Sequence, residues 1–430
     1  MSMTNENART RHQARRGSVY IAALVFMAIL AAIAITAAGT AGTGLRTSMT
    51  ATNSRIAANI SISGIELGLA RLNAADRDSG GADTLPRLAF TPGQEVYELE
   101  VDELRYRISD SYDEDLTDDP TDPVLLQAFA TVGDANWAET AIAIDDQGRP
   151  IEPLGSVLHA AEDLVITAGA TVIADGAPLS TDKTLENNGV IVGDIEAARL
   201  EGSAPAGSIQ TGVPRKGVAD RNLFDQYMLR ATELPFRGDV VGEVLGPGVN
   251  TYDESRGAND HGIYLIRTGG LDISIRRSRI VGTLIIDSSP GGQINFTLSN
   301  VFDPARPDAP AIMTRGATTF DISSNPLTED GFRNFNPEGA PSGGETDSTL
   351  DDSYESGVNG LIYVYGNARF TSDGTFNGSA LVDGRALITG RPRFVHDDML
   401  LLAPPMGFGD DTEIGNMKLL PRSIERVTMP

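Results

Sequence analysis

Between Gly17 and Leu45 the chain carries no charged side chain, and no other stretch restricts its folding so strongly. Val19 to Ala38 alone makes 20 residues, which as an α-helix reach about 30 Å, the thickness of a bilayer's hydrocarbon core. The apolar region of a secretory signal is shorter, about 7–15 residues. Ahead of the run stand Arg9, Arg11, Arg15 and Arg16 against a single Glu6. A basic head of this kind stays on the cytoplasmic side. Residues 1–17 are therefore read as a basic leader and residues 18–45 as a membrane span. The alternatives are a signal peptide cut further on and a plain single-pass anchor.

The helix does not stop at the membrane. Past Gly39, Gly42 and Gly44, apolar side chains recur at helical spacing as Ile62, Ile65, Leu69 and Leu72. Asn53, Ser54, Arg55, Asn59 and Glu66 fill other faces, as in an amphipathic helix. One helix from about Ser18 to Leu72 is expected, softened where each glycine costs about 1 kcal/mol against alanine. Such a continuation favours a segment that is kept.

The leader ending in Gly17, the small Ser18, the apolar helix and the amphipathic turn "SGIELGLARLNAA" (Ser63 to Ala75) resemble type IV pilins and type II secretion pseudopilins. The last stretch resembles the end of the first helix in PilX-type minor pilins. The resemblance implies a prepilin peptidase that cuts after Gly17, with Arg15 and Arg16 closing the leader and Ser18 as an N-methylated start. It also implies a helix that assembles with other subunits through Ala22, Ile62, Ile65, Leu69 and Leu72. Major pilins carry Glu at the fifth mature position, which here is Ala22. A lone carboxylate is expensive inside a membrane, so its absence eases insertion and removes a pairing partner. That departure fits a minor, tip-type subunit.

Residues 76–160 are read as an acidic antiparallel β region. "EVYELEVDELRYRISD" (Glu95 to Asp110) alternates as a hairpin turning at Asp102–Glu103, and Leu125 to Asp145 as two strands around Gly133–Asn136. Between them Asp110, Asp113, Glu114, Asp115, Asp118, Asp119 and Asp122 crowd one loop. Asp110, Asp113, Asp115 and Asp118 are candidate ligands for calcium, a hard cation that prefers oxygen. The EF-hand spacing is missing, and a solvated acidic loop is the plainer reading.

From residue 161 to 430 short Val/Ile/Leu runs alternate with Gly, Asn and Asp. Gly360, Val364, Gly366, Ala368 and Phe370 match Gly378, Val382, Gly384, Ala386 and Ile388 at a spacing of 18. Gly262 and Ile266 match Gly282 and Ile286 at 20, and Gly269–Gly270 match Gly291–Gly292 at 22. A drifting period of this length suggests a parallel β-helix, whose coils share one core. A β-sandwich is the competing fold. Val218 to Leu234 has helical spacing, with Leu223, Tyr227 and Ala231 on one side, and is expected to cap or flank the coils. Asn325 to Gly357 is polar and reads as a surface loop, a place where solenoids often bind. The expected fold is α+β: a long N-terminal helix, a small antiparallel region and a mainly-β head.

Chemistry is sparse. The chain has no cysteine, so disulfides and thiolate chemistry are absent. A net charge of −25 opposes nucleic-acid binding. His12, His159, His261 and His396 are scattered, and only "HDD" (His396 to Asp398) is flanked by acids. Arg237-Gly238-Asp239 reads as a turn before Val240. No nucleophile, phosphate-loop or dinucleotide motif is present. The expected function is structural, not enzymatic, with no cofactor other than the calcium candidate. The expected site is an inner-membrane protein, single-pass, with an exported head in a surface or periplasmic filament. The alternatives are an anchored surface adhesin and a carbohydrate-active β-helix enzyme.

Overall fold

The computed structural model describes residues 6–101, 103–110, 116, 123–219, 222–306, 308–331, 333–342, 345–410 and 417–427 apart from 76–95, with side chains of the first helix described from Phe26 to Asn73. That helix, α1 (Glu6–Ala75), is unbroken over 70 residues, about 105 Å. It begins ahead of the expected Ser18, because the Glu, Ala, Gln and Arg residues of the basic head tolerate helix well. It passes Gly39, Gly42 and Gly44 without interruption. Thr36, Thr43 and Thr47 turn their hydroxyls back onto the carbonyls of Ala32, Gly39 and Thr43 at 2.8, 3.1 and 2.9 Å. The hydroxyls are thus satisfied inside the helix, as a membrane requires. Among the described residues α1 is the one helix long and apolar enough to cross a bilayer.

From Ala57 onward α1 packs on an antiparallel meander of β1 (Val96–Val101), β2 (Leu104–Asp110), β3 (Val124–Val132) and β4 (Ala135–Asp145). The two expected hairpins are present, registered Val101↔Leu104 and Val132↔Ala135 at their turns. Ile65 and Leu72 enter a core with Tyr106, Ile108, Leu126, Ala128, Ala141 and Ala143. Small residues on both sides set the distance. A Cβ on Gly64 would stand 2.6 Å from Leu104 Cδ1 and 2.9 Å from Ala128 Cβ. The chain's end completes this sheet: Met417–Leu419 and Glu425–Arg426 both pair with β4. Asn73 fastens the returning strand, donating to Met417 O at 2.8 Å and accepting its N–H at 2.6 Å. The expected division at residue 160 is therefore crossed, since the tail assigned to the head lies in the first sheet.

The head is a three-sided parallel β-helix, not a sandwich. The spacings read from the sequence are strand registers: Gly360↔Gly378 and Val364↔Val382, Ala368↔Ala386, and Ile266↔Ile286. Alternate residues point inward to one continuous core. Within it Phe296, Phe320 and Phe370 stack at 5.1 and 5.0 Å, one ring per coil. The repeat glycines mark corners too tight for a side chain. Gly282 (φ 148) and Gly378 (φ 139) would drive a Cβ into the carbonyls of Gly262 and Gly360.

The coils do not stack in chain order. On one side, strands follow one another as 232–234, 263–267, 283–287, 312–315, 362–365 and 380–382. The next neighbour of Ala380–Val382 is Leu158–Ala160, followed by 179–181, 195–197 and 209–211. The chain enters at mid-stack, winds to one end, crosses to the other end and winds back to its entry. Nine steps of about 4.8 Å separate the ends, about 43 Å. The crossing segment contains α2 (Asn222–Arg230), which flanks the stack. Leu223, Phe224 and Tyr227 cover Ile263, Leu265, Ile285, Met313 and Tyr363 on the outward side.

Below α2 that outward row turns polar. His159, Ser180, Asp182 and Ser156 are buried under the crossing segment. Asp182 accepts the N–H groups of Lys216 and Gly217 at 2.7 and 3.1 Å. Lys216 Nζ donates to Glu196 at 2.5 Å and to Ser156 Oγ at 3.3 Å. His159 Nδ1 lies 3.1 Å from Ser180 Oγ, and its Nε2 faces Asp182 at 3.7 Å without a hydrogen bond. Burial lowers the His159 pKa to about 4, against the pull of Asp182 and Glu196 and with the push of Lys216. The ring is neutral, and the Asp182 contact is dipolar, not an ion pair.

Two outcomes follow for the intact chain in detergent. Gly64→Leu lowers stability by about 1–3 kcal/mol through overpacking, whereas Gly39→Ala, with nothing within 4 Å of the new methyl, is neutral or stabilising by up to about 1 kcal/mol; thermal unfolding reads both. Between pH 6.5 and 4 the unfolded chain binds a proton at His159 that the folded chain refuses, so stability falls as pH drops through that window. Melting temperatures of wild type and His159→Asn therefore converge on acidification, and parallel curves exclude this latch.

Candidate functional site: the bare helix and its docking sheet

Arg15, Arg16, Gly17, Ser18 and Ala22 all lie within α1. Beyond them, every described side chain from Phe26 to Thr52 is exposed. These include Phe26, Met27, Ile29, Leu30, Ile33 and Ile35. Burying surface of this kind is worth about 25 cal/mol per Å², so the helix is built to be covered by something outside this chain, whether lipid or protein.

The sequence-predicted stripe divides between two faces. Ile65 and Leu72 are buried against the sheet, Leu69 packs partly against it, and Ile62 is 38% exposed. The buried row is Ala57, Ser61, Ile65 and Leu72. A second row, Leu45, Met49, Ile56 and Leu67, is exposed. Its members recur 4, 11 and 22 residues from the first, which at 100° per residue places them on one stripe. Sequence periodicity found the helix. It could not tell which face the chain's own sheet would take.

A polar pin holds the buried face in register. Glu139 on β4 is buried, and it accepts from Ser61 Oγ and from Trp137 Nε1, each at 2.9 Å. Arg426 caps the Trp137 ring, its guanidinium carbon 3.8 Å from the centroid. A buried carboxylate with two donors is fixed in place. Sequence reasoning missed this group, because its members come from positions 61, 137, 139 and 426. The chain's single tryptophan was the available signal.

The other candidates are placed as follows. Asp110 ends β2 and is buried, while Asp113, Asp115 and Asp118 lie outside the described residues. Among the described residues no group of three or more His, Asp or Glu is arranged to hold a metal. His159, Ser180 and Asp182 are brought together but sealed from solvent. His396 bridges Asp398 at 3.2 Å and Leu154 O at 2.8 Å. Arg237 and Asp239 are committed within the chain, to Asp253 at 2.9 Å and Arg276 at 3.2 Å, around a turn at Gly238 (φ 94).

No family model matches the sequence, and no curated protein does. Three solved structures are similar in part. The competence-associated pilin ComZ from Thermus thermophilus has 10% identity and a TM-score of 0.28, over 87% of this chain and 98% of that one. An ice-binding protein from the Antarctic ascomycete Antarctomyces psychrotrophicus has 12% identity and a TM-score of 0.24, over 58% and 98%. The DUF3494 domain of Shewanella frigidimarina ice-binding protein_1 has 9% identity and a TM-score of 0.23, over 58% and 98%. Superpositions this loose carry no argument about function.

Proposed function

We propose that this chain is a minor pilin-like subunit of a type IV pilus or a type II secretion pseudopilus, assembled through α1 and displaying its β-helix outside the cell membrane. The observation that carries the reading is the division of α1. Its last part, from Ala57, is docked on the chain's own sheet, whereas Phe26 to Thr52 is bare, and uncharged as far as Leu45. A helix with that division is suited first to a bilayer and then to a bundle of like helices, where the Leu45, Met49, Ile56 and Leu67 stripe meets neighbours. Inside either environment the threonine hydroxyls need no outside partner. The leader residues Arg15, Arg16 and Gly17 supply the cleavage signal, Ser18 becomes the mature start, and a prepilin peptidase makes the cut. Ala22 makes insertion cheap and suits a subunit at or near a tip.

The role is assembly, not catalysis. The His159, Ser180 and Asp182 group is covered, which supports reading it as a structural latch. Calcium at Asp110, Asp113, Asp115 and Asp118 remains a side proposal, tested by a calcium-dependent shift in melting temperature of the full chain. The second reading is a single-pass anchored surface protein or adhesin, favoured by the missing Glu at position 22.

N-terminal sequencing of protein extracted from the native membrane separates the two. A start at Ser18 is expected, and Gly17→Leu leaves the chain uncut. A start at Met1 or beyond residue 40 overturns the pilin reading. In sheared filament fractions the Ile56→Asp, Leu67→Asp double variant is expected to be lost, with the melting temperature of the head unchanged.

A further inference from the structure

The described residues of 325–357, expected as a surface loop of the kind solenoids often bind with, fold over one corner of the β-helix. Leu327, Phe335 and Ala340 pack on Val244 and Val301. Buried Arg279 donates to the carbonyls of Phe335, Ala340 and Pro341, each at 2.6 Å. Buried Glu329 accepts from the N–H groups of Phe335 and Asp352 and from the Tyr354 hydroxyl, at 2.7, 3.1 and 3.0 Å. The excursion is a built wall.

Between this wall and the corner run two adjoining cavities, of about 280 and 260 Å³. Arg277 lines both. The first is completed by Val241, Gly242, Glu329, Arg333 and Phe335, the second chiefly by Leu298, Ser299, Thr328 and Asp330. Gly242, Arg277 and Leu298 belong to successive coils, so the groove follows the stack for about 10 Å.

The backbone singles out this groove. Four described non-glycine residues have positive φ, and Arg277 (51°), Leu298 (64°) and Asp330 (48°) all line it. The corner of the first coil uses glycine, Gly242 at φ 68. The next coil keeps Arg277 in the same kind of conformation, at a cost on the order of 1 kcal/mol that glycine would avoid. What the costly choice preserves is a guanidinium at the centre of the groove.

In the groove Arg277 and Arg333 face Glu329 and Asp330, and Asp330 is itself 59% exposed, so a ligand carboxylate exchanges with Asp330 for the Arg277 fork. Glu329 is buried and committed to three hydrogen bonds inside the wall. Asp330 takes the Thr328 hydroxyl and Glu243 the Thr251 hydroxyl, each at 2.5 Å. Arg277 reaches Asp330 only at 3.5 Å, and Arg333 reaches Glu243 only at 3.5 Å. The two guanidinium groups are 45% and 38% exposed. Each carries five N–H donors in a fork that matches a carboxylate. Val241, Leu298 and Phe335 add apolar walls. Donor forks in line, apolar walls and a groove longer than one ring suit a chain with C–H faces and carboxylates.

From this geometry we infer that the corner groove binds a carboxylated oligosaccharide, with Arg277 at its centre and Arg333 at one end. In a chain of net charge −25 such binding rests on Arg277 and Arg333 and weakens with salt. The assignment stands apart from filament assembly.

Calorimetric titration of the full chain in detergent micelles with trigalacturonate, its methyl ester and acetate tests it. Saturable binding of the free acid is expected, with the methyl ester at least about tenfold weaker, a loss of one charge-assisted hydrogen bond or more. Arg277→Gly is expected to lose at least about tenfold in affinity while its melting temperature holds or rises, since glycine relieves the backbone. Arg333→Gln loses a similar factor. Absence of binding at about 1 mM ligand, equal binding of the ester, acetate binding as tightly as the trisaccharide, or wild-type affinity in the variants overturns the proposal. Should Arg277→Gly lower the melting temperature, Arg333→Gln decides alone.

Discussion

The parallel ladder between Ala380–Val382 and Leu158–Ala160, with its companions Ala386–Ile388 on Leu164–Ile166 and Arg393–Val395 on Ile173–Asp175, closes the head, and most of the head depends on this seam. Neither half of the stack has a second neighbour there without the other. The strand edges it joins are 222 residues apart in sequence, from Leu158 to Ala380, so loop closure of that size must be overcome before the shared core repays it. The crossing segment follows from the same constraint. A chain that enters mid-stack must travel from one end to the other, and it does so as a strap that covers the outward row. Its apolar part, α2, lies over apolar residues. Its polar part lies over His159, Ser180 and Asp182.

The strap explains why His159, Ser180 and Asp182, gathered from two strands, are closed to solvent. His159 is neutral because it is dry, and Asp182 is engaged by the backbone of the segment that excludes water. The same exclusion turns the group into a register mark. Only one alignment of strap and stack satisfies the two N–H groups of Lys216 and Gly217 together with the ammonium of Lys216.

Local order in this chain was legible and long-range order was not. The uncharged run, the two hairpins and the coil registers of 18 and 20 residues are written in neighbouring positions, through charge, alternation and glycine spacing. Corner glycines must recur with the coil, which favours the β-helix over the sandwich. What escaped was every relation that joins distant segments. Leu381 and His159 carry no mark of being neighbours, and neither do Ser61, Glu139 and Arg426. The Arg277 groove was half legible. The Asn325–Gly357 excursion stands out by composition, but two of its opposing corners are Arg277 and Leu298, residue types that do not announce positive φ.

The return of the tail to β4 has a consequence for how such a molecule is organised. Arg149 and Ile151 on the way out lie hydrogen-bonded to Asp410 and Phe408 on the way back. The head is thus an insertion between two adjacent strands of the first sheet. The helix and its sheet form a plug of fixed design, and the β-helix is a payload held on a two-stranded stem. A payload of another size would join at the same two strands, away from the bare face of α1, and a load on the head is shared by two chain connections instead of one.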